Sequence, residues 1–349
     1  MTNIHEKFMQ RCLQIAENAL GNTSPNPMVG SVIVFNQQII GEGFHIRAGE
    51  PHAEVNAIRS VKNQSNLCQS TLYVNLEPCS HFGKTPPCAD LIIEKKIPTV
   101  VIGCADPNPL VSGKGIEKLR AAGTEVICGV LEKEAKFLNR RFITYHTKKR
   151  PYIILKWAQS ADGFIDIKRE PGIPPEVHWI TDEVCRMMVH KWRAEEDAIL
   201  TGANTIMTDN PQLNVRYYTG NNPLRIVIDR DNALGRNYHV FTDGNPTVVF
   251  CSKPQKDENA TQFIAINFDK NVEWQVLDYL YKRQIQSVII EGGAYTLNRF
   301  IEKKLFDEVR FFVGNKLFFD GVKAPALPVL HYTKQQISGN TLFWAYQEF

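Results

Sequence analysis

Three potential metal ligands in separate segments limit the folds that this chain can adopt. His52 opens a run with helical apolar spacing, Cys79 follows the strand-like segment 71–76, and Cys88 opens a second helix-like run. One imidazole and two thiols are enough protein ligands for a zinc ion that keeps its fourth position open. The fold must therefore bring two helix N-termini together beside one strand end, where the helix dipoles favour the negative charge of thiolates.

Glu54 adds an acid to this pattern, because it lies two residues after His52 without being needed as a ligand. The order His-x-Glu, Pro-Cys, Pro-Cys is typical of zinc-dependent deaminases, in which zinc activates a water and the glutamate transfers protons. The loop between the cysteines is longer than the common Cys-x-x-Cys spacing, and His81 within it is a competing ligand. We favour Cys88, since Pro87 suits the first turn of the helix predicted there.

Alternating strands and helices predict an α/β layered domain in the first half of the chain. The predicted strands are 29–35, 39–45, 71–76, 99–104 and 125–130, and the predicted helices are 8–20, 52–61, 88–96 and 115–122. One long charged helix is predicted from Glu132 to about Lys149. The basic segment 147–150 marks the boundary, so we expect one domain over 1–146 and another over 151–349.

The second half begins a new α/β pattern at 152–156. Its predicted strands continue at 198–201, 224–229, 247–251, 287–290 and 341–349, with helices at 181–196, 272–283 and 295–304. Glu291-Gly292-Gly293 lies between a strand and a helix, where free backbone N–H groups can cradle a phosphate. Such glycines are more often simply tight-turn residues. Arg193 and Arg216 could clamp a phosphate, although either arginine taken alone is more often a surface residue.

Composition excludes several classes of protein. A chain of 349 residues is long for one core. Its 40 Lys and Arg against 37 Asp and Glu argue against a dedicated nucleic-acid binder. No apolar run approaches the roughly 18 residues that span a membrane, and no secretion signal is evident. The eight cysteines are therefore interpreted as reduced thiols and metal ligands in a cytoplasmic enzyme. We expect a homo-oligomer that acts on a small molecule, with neither nucleic acid nor membrane as partner.

The chain resembles the bifunctional deaminase–reductase family of riboflavin biosynthesis over essentially its full length. The resemblance is carried by residues 23–30, 52–54, 77–88 and 105–109 in the first half, and by residues 155–156, 162–163, 179–181, 205–216 and 291–293 in the second. It implies a cytidine-deaminase-like α/β/α domain followed by a dihydrofolate-reductase-like α/β domain. It also implies that a diaminopyrimidinone ribosylamino 5′-phosphate is deaminated with Zn²⁺, and that its ribosyl group is then reduced to ribityl with NADPH.

Individual roles also follow from the resemblance. In the first domain, the zinc ligands would be His52, Cys79 and Cys88, the proton carrier Glu54, and the substrate-binding residues Asn26, His45, Lys84, Asp106 and Asn108. In the second, Lys156 and Glu291 would be catalytic, and the sugar phosphate would be bound by Val177, Arg193, Leu213, Arg216 and Glu291. NADPH would contact Ala158, Trp179, Thr205, Asp209, Gly293, Ala294, Tyr295, Thr296, Leu297, Asn298 and Arg299.

Some interpretations stay open at this stage. Asn26 and His45 could instead stabilise their loop, Lys156 could position a phosphate, and Glu291 could cap a helix. The segment 167–176 reads as an insertion that blurs the alignment around Val177. The alternatives are a deaminase of another nucleobase or of nucleic acid with an inactive or different second domain, and a structural zinc module in which His81 is the fourth ligand.

Overall fold

The computed structural model describes residues 4–80, 86–108, 112–169, 177–328 and 330–347. The chain divides into two compact units, Met1–Lys149 and Arg150–Phe349. No helix in these described ranges is both long enough and apolar enough to cross a membrane.

The first unit is built on a five-stranded sheet with the order β2-β1-β3-β4-β5. Its strands are β1 (Gly30–Phe35), β2 (Gln38–Phe44), β3 (Thr71–Leu76), β4 (Thr99–Cys104) and β5 (Glu125–Cys128). Its helices are α1 (Ile4–Ala16), α2 (Ala53–Ser60), α3 (Cys88–Glu94), α4 (Lys114–Ala121), α5 (Glu132–Leu138) and α6 (Arg140–Lys148). β1 runs antiparallel to β2 and β3, whereas β3, β4 and β5 are parallel.

Both faces of this sheet are buried, because successive strand side chains point to opposite sides. Ile33 and Val74 pack in a cluster with α2, α3 and α4. Their neighbours Val32 and Tyr73 pack with α1 on the other face. The predicted α/β/α layering is therefore confirmed, and it brings the N-termini of α2 and α3 to the sheet face that also carries the end of β3.

The single long helix predicted from Glu132 to about Lys149 is wrong. Two helices occupy this segment, and they are separated at Asn139. The side-chain amide of the buried Asn139 accepts a hydrogen bond from Met28 N at 2.8 Å and donates one to Met28 O at 2.9 Å. These long-range bonds compete with helical continuity, and no local periodicity encodes them.

The second unit has a nine-stranded sheet with the order β11-β10-β9-β8-β12-β6-β13-β16-β15 and a small pair, β14-β7. The strands are β6 (Tyr152–Gln159), β7 (Phe164–Ile167), β8 (Ala198–Gly202), β9 (Leu224–Ile228), β10 (Thr247–Cys251), β11 (Thr261–Ala265), β12 (Ser287–Glu291), β13 (Glu308–Val313), β14 (Gly321–Lys323), β15 (Thr333–Ile337) and β16 (Asn340–Tyr346). The helices are α7 (Glu183–Glu195), α8 (Ala203–Asp209), α9 (His239–Thr242), α10 (Val272–Lys282) and α11 (Ala294–Glu302).

Neighbouring strands are parallel along the part of the sheet that runs β11-β10-β9-β8-β12-β6-β13. Strands β16 and β15 complete the sheet in antiparallel pairing. Helices α10 and α11 pack on one face, and α7, α8 and α9 pack on the other. Strand β13 was missed by the sequence pattern, because Glu308 and Arg310 interrupt its apolar residues. Their charges are compensated inside the fold, where Arg310 Nε donates to Glu308 at 2.5 Å and Arg310 lies 3.6 Å from Glu196.

Candidate active sites

The first unit brings the three predicted metal ligands to one point. His52 is the residue before α2, and Cys88 is the first residue of α3. Nδ1 of His52 lies 3.5 Å from Sγ of Cys79 and 3.4 Å from Sγ of Cys88. All three ligand atoms lie within 4.8 Å of one another, and no other such cluster occurs in the described part of the chain.

This donor set fits zinc. Zinc–nitrogen distances of about 2.1 Å and zinc–sulfur distances of about 2.3 Å, at tetrahedral angles, place nitrogen and sulfur about 3.6 Å apart. Interaction between the two neighbouring thiols lowers the pKa of Cys79 and raises that of Cys88. The backbone N–H of Cys88 also donates to Sγ of Cys79 at 3.3 Å, so the protein alone already stabilises a thiolate at this position.

Glu54 is buried beside the ligands, with 3% of its surface exposed, in the first turn of α2. Burial, reinforced by the charge of Cys79, raises the pKa of Glu54 to about 7. A carboxyl that titrates near neutral pH can both accept and donate a proton. The geometry therefore gives Glu54 the properties that a proton carrier needs.

Asn26 and His45 lie next to this cluster. The His45 ring is 5.4 Å from the His52 ring, centroid to centroid. Nδ1 of His45 faces the carbonyl of Pro51 at 3.2 Å, so it carries the proton, and Nε2 accepts from the Asn26 amide at 3.0 Å. Both ring nitrogens of His45 are engaged, which means that this histidine fixes the orientation of Asn26.

Glu77 organises the loop that carries the other predicted substrate residues, and sequence reasoning missed it. Its carboxylate accepts backbone N–H bonds from Asp106 at 3.1 Å, Gly113 at 3.0 Å, Gly115 at 2.9 Å and Ile116 at 3.3 Å. Gly115 is pressed against this network, since a Cβ there would lie 2.1 Å from the Pro78 carbonyl. The signal available in the sequence was a glutamate placed directly between a buried strand and the Pro-Cys pair.

Asp106 and Asn108 follow β4 on this loop, where Asn108 N donates to Asp106 Oδ1 at 2.7 Å. Lys84, the remaining predicted substrate residue, and His81, the alternative ligand, lie outside the described residues. The choice between Cys88 and His81 therefore depends on the convergence of Cys88 with the other two ligands.

The second unit contains a cleft of about 1530 Å³ along the carboxyl ends of its parallel strands. Ligands commonly bind at this edge of α/β sheets. Predicted site residues that line the cleft are Lys156, Ala158, Val177, Trp179, Arg193, Thr205, Asp209, Leu213, Arg216, Glu291, Gly293, Ala294, Tyr295, Thr296 and Arg299. Two predicted cofactor residues do not line it. Leu297 is completely buried in the core, and Asn298 is absent from the lining.

Lys156, Glu291 and Arg193 form a partly buried ion-pair triad in the cleft. Lys156 and Glu291 are register partners on β6 and β12. Glu291 accepts from Lys156 Nζ at 2.6 Å and from Arg193 Nη2 at 2.5 Å. Burial alone would raise the pKa of Glu291, but the charges of Arg193 and Lys156 outweigh it and hold the pKa at about 2. Glu291 is therefore a fixed anion at neutral pH.

The glycine pair is closely packed rather than an open cradle. Gly293 N donates to Thr205 Oγ1 at 2.9 Å, so one of the backbone donors expected for a phosphate is already used. A Cβ at Gly292 would lie 2.6 Å from Thr201 Oγ1. Thr205 thus fixes the turn before α11, and the tight-turn interpretation of these glycines accounts for part of their role.

The cofactor residues predicted on either side of this turn lie in distinct surroundings. Tyr295 is 76% exposed, and Arg299 donates to the buried Glu273 at 2.7 Å. Trp179 stacks under the Arg186 guanidinium at 4.5 Å. Asp209 is paired with Arg169 at 3.1 Å, and burial raises the pKa of Asp209 to about 6.

Both halves of the chain match known families. Residues 2–104 match the cytidine and deoxycytidylate deaminase zinc-binding region, and residues 151–325 match the RibD C-terminal domain. The riboflavin biosynthesis protein RibD of Aquifex aeolicus is 40% identical over 328 residues, which cover 91% of this chain and 89% of the relative. The RibD protein of Escherichia coli is 36% identical over 331 residues, which cover 89% and 88%.

Solved structures agree with this assignment. The diaminohydroxyphosphoribosylaminopyrimidine deaminase/5-amino-6-(5-phosphoribosylamino)uracil reductase of Thermotoga maritima is 41% identical, with a TM-score of 0.89 over 98% of each chain. RibD of Acinetobacter baumannii is 34% identical, with a TM-score of 0.87 over 98% of each chain. The predicted two-domain fold is confirmed, and a different second domain is excluded. The chain therefore belongs to the RibD family, the bifunctional deaminases and NADPH-dependent reductases of riboflavin biosynthesis.

Proposed function

We propose that the first unit deaminates 2,5-diamino-6-ribosylamino-4(3H)-pyrimidinone 5′-phosphate and that the second reduces the ribosyl side chain of the product to ribityl. The observation that carries this proposal is the presence of two candidate sites in one chain. One is the metal-ligand cluster with the buried Glu54, and the other is the Lys156–Glu291–Arg193 triad in a large cleft. The relative from Thermotoga maritima, a diaminohydroxyphosphoribosylaminopyrimidine deaminase/5-amino-6-(5-phosphoribosylamino)uracil reductase, supports this substrate.

In the deaminase, His52, Cys79 and Cys88 would hold the metal, and zinc bound there supplies a water acidic enough to react near neutral pH. Glu54 would accept one proton from the attacking water and pass it to the ring nitrogen while a carbon–oxygen bond forms at the amino-bearing ring carbon. It would then take the second proton, from the new hydroxyl group, and deliver it to the amine, so that the carbon–nitrogen bond breaks, ammonia leaves and a ring carbonyl remains. Its raised pKa, about 7, suits both directions of transfer. Asn26, oriented by His45, is placed to bind the pyrimidine edge.

In the reductase, NADPH supplies the hydride for the open-chain form of the sugar. Lys156 is the group that we assign as proton donor to the heteroatom that gains negative charge. Glu291, with its pKa held at about 2, carries no proton at neutral pH and therefore serves to position Lys156 and Arg193. Arg193 and Arg216 bind the 5′-phosphate. The cofactor is bound by cleft-lining residues around the glycine turn, namely Thr205, Gly293, Ala294, Tyr295, Thr296 and Arg299.

All eight cysteines of the chain are free thiols, which suits a reducing compartment and supports a cytoplasmic location as part of the proposal. The expectation of a homo-oligomer stays a prediction.

The test is a single reaction that contains zinc-loaded protein, the undeaminated substrate and NADPH. Ammonia and NADPH oxidation are followed together. Release of ammonia with oxidation of NADPH supports both assignments. Release of ammonia without oxidation of NADPH overturns the reductase assignment. The absence of both reactions overturns the proposed substrate.

A further inference from the structure

His190 is a buried histidine in the reductase cleft to which neither the motifs nor the proposed mechanism gives a role. It lies on α7 one turn before Arg193, is 3% exposed and lines the cleft. Its Nδ1 accepts a hydrogen bond from the backbone N–H of Arg216 at 2.9 Å, and its ring packs edge-on against Tyr217 with centroids 4.8 Å apart. The ring is therefore fixed between Arg193 and Arg216.

The protonation state of this ring follows from its surroundings. Burial, followed by the charges of Arg193 and Arg216, lowers the pKa of His190 to about 4, so the ring is neutral at pH 7. Because Nδ1 accepts a hydrogen bond, the single proton is on Nε2. Within the residues that the structure describes, Nε2 has no hydrogen-bond partner.

The two arginines converge beside His190. Arg193 Nη1 donates to the backbone carbonyl of Asn214 at 3.3 Å, and Arg216 Nη1 donates to the side-chain oxygen of the same residue at 2.6 Å. Nε of Arg193 is buried and has no partner among the described residues. Two guanidinium groups and one imidazole N–H thus retain donors at one end of the cleft.

The charge balance at this end calls for an anion. The charged groups that act on His190 are the cations Lys156, Arg193 and Arg216 and the carboxylate of Glu291. Three positive charges against one negative charge leave an excess of two. Glu291 has both oxygens engaged by Lys156 and Arg193. A phosphomonoester, with about two negative charges and three acceptor oxygens, matches this excess and these donors.

We propose that Nε2–H of His190 donates a hydrogen bond to the phosphate of the sugar-phosphate substrate of the reductase. His190 is then a third phosphate-binding side chain beside Arg193 and Arg216. This inference rests on the proposed reductase function and adds a substrate-binding residue to it.

Two substitutions separate donation to phosphate from a purely structural role. His190→Asn keeps an acceptor near the position of Nδ1 and loses the Nε2 donor. His190→Gln places an amide donor near the position of Nε2 and loses the Nδ1 acceptor. The full-length protein is assayed with the deaminated substrate and NADPH, and His331→Asn, an exposed histidine of the same unit, is the matched control. Ammonia release by the first unit checks each preparation.

We expect His190→Asn to raise KM for the sugar phosphate roughly tenfold or more, since a hydrogen bond to a charged group is lost. The KM for NADPH and kcat should stay within about threefold of the parent values, because the substitution removes no contact that determines either quantity. The inhibition constant of inorganic phosphate rises in parallel with the substrate KM, and His190→Gln remains near the parent enzyme.

Three results would overturn the proposal. The first is the reverse order, with His190→Gln impaired and His190→Asn normal, which would mean that the ring only holds the Arg216 backbone. The second is an increase in KM for NADPH instead of the sugar phosphate. The third is an unchanged inhibition constant for inorganic phosphate, which would place the contact on a sugar hydroxyl. A parent enzyme that fails to oxidise NADPH would instead refute the proposed function.

Should both variants fold poorly, the parent protein labelled with ¹⁵N-histidine gives an independent test. The Nε2 resonance of His190 should show the neutral Nε2–H tautomer and should move on saturation with inorganic phosphate. An unmoved resonance contradicts the proposal.

Discussion

The carboxylate of Glu291 holds Lys156 Nζ at 2.6 Å with one oxygen and Arg193 Nη2 at 2.5 Å with the other. This arrangement assigns different tasks to the two catalytic candidates. The anion fixes the geometry, while in the proposed reaction Lys156 would donate a proton and Arg193 would bind the substrate phosphate. A carboxylate with both oxygens occupied is poorly placed to exchange protons with substrate.

We expect Lys156→Met to reduce the reductase rate by roughly 10²- to 10⁴-fold, because a positioned proton donor is lost. Ammonia release should be unchanged, since the substitution lies in the second unit. Stopped-flow oxidation of NADPH with the deaminated substrate measures the effect. Lys334→Met, at an exposed position of the same unit, is the control. A rate within a few-fold of the parent would show that Lys156 is not the donor.

The triad also predicts a pH dependence of stability. The pKa of Glu291 is about 2 in the folded chain against an ordinary 4.5. Because folding lowers this pKa, the ionised Glu291 stabilises the folded chain fully above pH ~4.5, and this stabilisation is lost as the pH falls toward 2. The difference between the two pKa values corresponds to roughly 3 kcal/mol of folding free energy.

All five tryptophans lie in the second unit, so their fluorescence during urea unfolding reports that unit. The free energy of unfolding should fall more steeply between pH 4.5 and 2 (the two pKa values above) for the parent than for Glu291→Gln. Equal slopes for the two proteins would contradict the lowered pKa. The variant should also be less stable at neutral pH, because Lys156 and Arg193 would be left as partly buried cations without their anion.

Glu54→Gln should retain zinc and lose deamination by roughly 10²- to 10⁴-fold, because the amide cannot carry the proton. Reduction of the deaminated substrate should continue at the parental rate. Metal content, ammonia release and NADPH oxidation are measured on one preparation. A variant that loses zinc, or that loses both activities, would contradict a proton-transfer role confined to the first site.

His81 and Cys88 compete for the third ligand position, and paired substitutions decide between them. Cys88→Ser should lower zinc affinity by at least ~10-fold, the scale on which even supporting residues of metal sites act. His81→Ala should leave the metal content at one equivalent. The reverse result would make His81 the ligand. Loss of metal in both variants would favour the structural zinc module with four protein ligands.

Asn139→Ala should destabilise the first unit by about 1–3 kcal/mol, because the buried N–H of Met28 loses its partner and the C=O of Met28, which also accepts from Asn75, loses one of its two donors. Calorimetry of the full chain measures the effect, with the fluorescence transition used to identify the second unit. Asn18→Ala, which removes one bond from an exposed side chain to Ile15, should change stability by less than ~0.5 kcal/mol. Equal effects from the two changes would contradict the importance of the Met28 contacts.

The parts of the sites that could be predicted from sequence are those set by local order along the chain. His52 and Cys88 are predictable because each begins a helix, and Cys79 because it follows a buried strand. The positions of Glu291 and Lys156 at strand ends are predictable for the same reason. The sequence pattern does not predict the order of the strands in the sheets. It therefore could not show which strand ends are neighbours.

The residues missed by the pattern act through partners far away in the chain. Glu77 binds backbone groups 29 to 39 residues further along, and Asn139 binds Met28 across 111 residues. His190 looks like an ordinary helical residue until the fold brings Arg216 to it. Sequence periodicity reports which face of an element is apolar, and it carries no information on such pairings.

The carboxylate of Glu77 joins the loop after β4 to the segment that carries Cys79. Through it, a metal ligand and the loop that bears Asp106 share one anchor. In the proposed deaminase, the loop with the candidate substrate residues is therefore tied to the segment that carries a metal ligand. An exchange of this loop, made to redirect the enzyme to another pyrimidine, would have to keep the backbone N–H groups that donate to Glu77. A loop without these donors would loosen the metal centre as well as change the specificity.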